Sequence, residues 1–150
     1  MVRGAPVLNV EELQRIVDEA FPDWAVPQVE SLEGDTLVMF QPIDARNSRP
    51  GGTISGPTMM ALADNAAWVV ILAHVGPVLL AVTTSLHIDF LRKPELSDLM
   101  CRARLIKLGR RLAVVDADLF SRGESELVAK AQVTYSIPPR DDVASARTDD

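Results

Sequence analysis

Asp64 lies in an apolar run from Met59 to Val75 that is broken only by Asp64, Asn65 and His74. A carboxylate on such a segment is partly stripped of water, which suits it to accept a proton or to attack a carbonyl carbon. Eight residues earlier stands Gly56, followed by Pro57, a residue suited to a first helical position. A backbone N–H at a helix start, aided by the helix dipole, can hold a developing oxyanion. The simpler readings are a carboxylate satisfied by neighbouring donors and a glycine that only turns the chain. Other reactive types offer less. Cys101 alternates with Leu99 and Ala103, as an inert thiol buried in a strand does. His74 ends the apolar run, where an imidazole complements the dipole. One cysteine and two histidines, His74 and His87, exclude a disulfide framework and leave no metal cluster to expect.

The chain has 150 residues, the length of one ordinary domain, and a net charge of −6. That charge argues against nucleic-acid binding by bulk electrostatics. The N-terminus lacks the apolar core of a secretion signal, so a cytoplasmic protein that neither enters nor binds a membrane is expected. Residues 1–137 read as the domain, and the acidic tail 138–150 reads as disordered.

Asn9 can cap a first helix over about 9–21, with Glu11 and Glu12 in its opening turn. Val26 to Glu33 and Thr36 to Gln41 form short strands around Gly34-Asp35, and Pro42 to Pro57 reads as loop. A second helix runs from about Pro57 to Val75. Four alternating strands follow, over 82–90, 99–105, 112–120 and 127–137, with turns at Gly109 and Gly123 that make neighbours antiparallel. In the first of these, strict alternation puts Thr83 with Ser85, His87 and Asp89, opposite Val82, Leu86 and Ile88. The second helix is apolar almost all round, but Asp64 and Asn65 inside it argue against a membrane span. It must be surrounded by the only material at hand, five or six antiparallel strands. An α+β hotdog fold follows, one long central helix wrapped by a curved antiparallel sheet.

The segment Ser55-Gly56-Pro57-Thr58-Met59-Met60-Ala61-Leu62-Ala63-Asp64-Asn65 resembles the H-G-G-x-x-x-x-L-x-D-N motif of the PaaI-like hotdog acyl-CoA thioesterases. The likeness continues through Ala81 to Leu91, Lys107 to Ala113 and Val128 to Ala131, and spans roughly residues 40–137. Gly51 and Gly52 are too far from Asp64 to be the motif's glycines. Ser55 stands for the family's histidine, and Pro57, which has no N–H, for its second glycine. The resemblance implies hydrolysis of an acyl-CoA to free acid and coenzyme A without metal or other cofactor. Gly56 would be the oxyanion donor, Asp64 the base or nucleophile, and Thr83 the residue that orients water. Asn47 and Ser55 would touch substrate. A non-catalytic acyl-CoA binder is the alternative, given the two departures; a hydratase fits less well, lacking its Asp/His arrangement.

Between Arg92 and Arg111 seven cations face two carboxylates. Arg102 and Arg104 suit a solvated strand face, whereas Arg92, Lys93, Arg110 and Arg111 sit at strand ends where they could bind coenzyme A phosphates. Geometry adds an expectation about assembly. Gly56 and Asp64 are about 12 Å apart along one helix and about 80° around it. A thioester carbonyl needs both within about 3 Å. Two antiparallel helices around a two-fold axis can supply that, so a homodimer is expected. The family resemblance implies dimers paired into tetramers.

Overall fold

A computed structural model describes residues 4–23 and 26–139. The tail assigned to 138–150 therefore lies, beyond Pro139, outside the described residues. Helix α1 (Val10–Ala20) opens with a reciprocal capping box, in which Asn9 and Glu12 each accept the other's backbone N–H. Leu13 and Val17 are its buried face, and Gln14 ties it to the sheet by accepting from Val29 N–H at 2.6 Å.

Six strands form one antiparallel sheet: β1 (Gln28–Glu33), β2 (Thr36–Gln41), β5 (Val82–Phe90), β6 (Leu99–Leu108), β7 (Leu112–Ser121) and β8 (Leu127–Ser136). Their order is β1-β2-β6-β7-β8-β5, which leaves β1 and β5 at the edges. The expected loop from Pro42 to Pro57 holds a small hairpin of β3 (Ser48–Arg49) and β4 (Thr53–Ile54). Gly51 and Gly52, both with positive φ, turn it. These two glycines are thus turn residues, as their distance from Asp64 requires.

Helix α2 (Gly56–Val75) lies against the concave face of this sheet. Its length and hydropathy would let it cross a membrane, but most of it is buried inside the protein, with Leu62, Ala66, Val70 and Ala73 fully covered. Alanines Ala103, Ala113, Ala117 and Ala131 on the inner sheet face leave room for this close packing. Gly76 ends the helix, and Val7 and Leu8 cover its end by donating to Ala73 O. The helix is a fixed bar, and any polar residue along it has a set neighbour.

Candidate active site

Asp64 is that polar residue. It is half-buried on α2 and faces the start of β5 and the end of β8. Thr83 Oγ1 donates to Asp64 Oδ1 at 2.7 Å, and Tyr135 Oη donates to the same Oδ1 at 2.9 Å. The Tyr135 hydroxyl also lies 3.0 Å from the Asp64 backbone oxygen. Among the described residues Asp64 has no cationic partner, and no donor reaches Oδ2. Burial pushes the Tyr135 phenol well above its ordinary value, and the Asp64 charge adds to this, against an opposing hydrogen bond with Thr83.

Strict alternation would have turned Thr83 away from Leu86 and Ile88. A β-bulge between Thr83 and Ser85 corrects that expectation: the register runs Thr83↔Tyr135, then Ser85↔Thr134 and Leu86↔Val133. Thr84 is the extra residue, so Thr83 shares the helix-facing side with Leu86 and Ile88. Val82, expected beside Leu86 and Ile88, is turned to the opposite, exposed face by the same bulge. Tyr135 was missed as a site residue because its spacing in β8 reads as core. Its signal was chemical: a tyrosine among buried apolar residues needs a partner for its hydroxyl.

Gly56 is the first residue of α2, so its N–H has no intrahelical acceptor. It opens into a cavity of about 620 Å³ with apolar walls at Ile54, Met59 and Phe90 and a basic rim at Arg49, Arg92 and Lys93. The Phe90 ring lies 3.5 Å from where a Cβ on Gly56 would stand. A second, shallower hollow of about 440 Å³ lies against Asn65, Thr83 and Tyr135, with Phe21, Trp68 and Leu79 as apolar walls.

The remaining expected site residues divide. Ser55 caps α2, accepting from Thr58 N–H at 3.3 Å and bonding the Thr58 hydroxyl at 2.8 Å. Asn47 accepts from Asp44 N–H through its side chain and from Ser55 N–H through its backbone, so it shapes the approach to the helix. Arg92 is ion-paired with Glu126. Arg110 and Arg111 sit in the β6–β7 turn, at the opposite end of the sheet from Arg92 and Lys93. The ten-residue length of β7, about 30 Å, separates the two pairs. One chain therefore groups Asp64, Thr83 and Tyr135 towards the end that carries Arg110 and Arg111, and Gly56 with Arg92 and Lys93 at the other. Cys101 is fully buried, and burial pushes its thiol far up, reinforced by Asp118. His74 bonds Val70 O through Nδ1, and His87 pairs with Asp89 on the surface.

A family model described as the thioesterase superfamily matches residues 51–135. A solved structure from Silicibacter sp. TM1040, provisionally named a thioesterase, is 44% identical and superposes with a TM-score of 0.82, over 89% of this chain and 94% of that one. A thioesterase from Haemophilus influenzae reaches a TM-score of 0.80 at 19% identity, covering 92% and 96% of the two chains, a likeness of fold. A protein of Thermoplasma acidophilum, provisionally named an esterase, is 25% identical over 110 residues, 73% of this chain and 82% of its own.

Proposed function

The chain belongs to the thioesterase superfamily, and on that premise we propose that it hydrolyses an acyl-CoA thioester to the free acid and coenzyme A. The observation that carries this reading is Asp64, a carboxylate with no cation beside it among the described residues, held through one oxygen by Thr83 and Tyr135, which both line an open hollow. A water molecule there gives its proton to Asp64 as its oxygen attacks the thioester carbon. The tetrahedral species then expels the coenzyme A thiolate, which takes up a proton. Direct attack by the carboxylate, through a mixed anhydride that water opens, uses the same contacts. Thr83 spends its hydroxyl proton on Asp64 and keeps lone pairs with which to orient water. The Gly56 N–H holds the thioester oxygen as charge grows on it.

Gly56 and Asp64 of one helix are too far apart to share one carbonyl. The working site is therefore completed by a second copy. Strand β5 is an open edge with Val82 and Phe90 exposed, and a strand edge invites pairing. Antiparallel pairing of two β5 edges sets the start of one, beside Asp64, against the end of the other, where Phe90 lies over Gly56. The same operation brings Arg110 and Arg111 towards Arg92 and Lys93 of the partner subunit, which supports phosphate binding by both pairs. Asn47 and Ser55 contribute by holding the helix start. The test is thiol release across a panel of short, aromatic and medium-chain acyl-CoAs, with Asp64→Asn as control. Turnover of at least one member that the variant lacks is expected. Binding without turnover by the folded wild type would overturn catalysis in favour of a binding protein.

A further inference from the structure

Tyr135 is the only tyrosine of the chain, and its ring is buried in the last strand while its hydroxyl touches Asp64 twice. Resting on the reading of Asp64 as the reacting carboxylate, we propose that Tyr135 is a positioning residue that, together with Thr83, clamps Asp64 through Oδ1 and leaves Oδ2 as the reacting oxygen. A carboxylate on a free side chain presents either oxygen, because its last torsion is broad and two-fold. Here two donors from neighbouring strands meet at one oxygen, 2.7 and 2.9 Å away. The same hydroxyl lies 3.0 Å from the Asp64 backbone oxygen, so its one proton is shared between that oxygen and Oδ1. The ring is 4% exposed, so packing holds the hydroxyl in place. Its raised phenol stays protonated through neutral and moderately alkaline pH and remains a donor there. Thr83 and Tyr135 are directly opposite in the ladder only because the bulge at Thr84 restores their pairing, so the clamp depends on that irregularity. The consequence is directional: Oδ2 faces substrate while Oδ1 is spent on the protein.

Phenylalanine keeps the ring and removes the donor, so Tyr135→Phe isolates the hydroxyl. On the acyl-CoA turned over best, kcat should fall about tenfold, the scale of one hydrogen bond to a charged group. KM should stay within about twofold, since the clamp acts on the reacting atom rather than on binding. Thr83→Val should do the same through the other donor, and the double variant should lose more than either. A readout independent of turnover is the carboxyl ¹³C resonance of Asp64 in aspartate-labelled protein, assigned by its absence in Asp64→Asn. At fixed pH it should shift in Tyr135→Phe, because a donor to Oδ1 has gone. An unmoved resonance, or kcat at the wild-type level, overturns the clamp. If the resonance moves while no acyl-CoA is hydrolysed, the clamp stands and the thioesterase reading falls.

Discussion

Two carboxylates on the outer face of the sheet and one on the helix against its inner face are held in opposite ways. On the outer face Asp118 meets Lys130 at 2.7 Å and Arg102 at 3.9 Å, and Asp116 meets Arg104 at 3.7 Å. These residues are directly opposite one another in the ladder: Arg102↔Asp118, Arg104↔Asp116 and Asp118↔Lys130. Arg102 also lies 4.9 Å over the Phe120 ring. Each charge there is matched across a strand in contact with water, which favours register and solubility more than stability. Asp64 on the inner side has hydroxyl donors instead of cations and one oxygen left over. A carboxylate paired with a guanidinium is chemically spent, whereas one positioned by neutral donors keeps its charge for a substrate. The contrast sets Asp64 apart where burial does not, because Asp64, Asp116 and Asp118 are all half-buried.

The sharpest way to break this comparison is to remove the three charges one at a time. Asp64→Asn should lower kcat by about 10²-fold or more, the scale of a lost general base or nucleophile. The fold should survive, because the asparagine carbonyl oxygen can still accept from Thr83 and Tyr135 and an unpaired charge has gone. Circular dichroism and thermal melting check this. Equal losses in Asp116→Asn or Asp118→Asn would erase the distinction between the faces.

The next effect concerns the other end of α2. Asp64→Asn and Gly56→Val should each be inactive, the valine because its side chain fills the space between the helix start and Phe90. Mixed and allowed to exchange subunits, they should recover roughly a quarter of wild-type activity, since about half of randomly formed dimers keep one intact site. Mass spectrometry of differently tagged subunits verifies the exchange. No recovery after proven exchange would mean that each chain builds its own site.

The sequence made the helix and its sheet legible because both are written in long periodic patterns. Leu62, Ala66 and Val70 fall on turns of a helix with no polar side, and Ala113, Val115, Ala117 and Leu119 alternate strictly. What it hid were single-residue departures from a period. The extra residue Thr84 reverses the phase of β5, and alternation carries no trace of it before pairing is known. Tyr135 obeys the core period of β8, so its hydroxyl was overlooked. Ser55 is expected at substrate from its motif position, and the structure adds a capping role that the motif did not point to. The two basic pairs are close in sequence but lie at opposite ends of long antiparallel strands, a separation that only the topology reveals.

A smaller effect is expected at Cys101, an inner-face group of a reactive type with no reactive setting. Cys101→Ala should cost about 1 kcal/mol through the lost sulfur contacts and leave kcat within about twofold. Burial and the nearby Asp118 disfavour the thiolate, so iodoacetamide should label the native protein slowly and the denatured protein fast. Fast labelling that abolishes activity, and is lost with the substitution, would place a second reactive group on the inner face.

The smallest effect should come from Asp116→Asn on the outer face. Arg104 is the cation nearest to Asp116, its side chain is 60% exposed, and the pair is separated by 3.7 Å. At that exposure the attraction is screened, and holding the long arginine side chain offsets part of it. The Gln132 amide, 3.4 Å from Oδ1, can still donate to the asparagine oxygen. The change should therefore lie within about 0.5 kcal/mol, a shift in Tm of about 1–2 °C. It should shrink further in high salt, and kcat should not move. A loss of stability that persists in high salt, or a fall in turnover, would show that the outer face holds more than register.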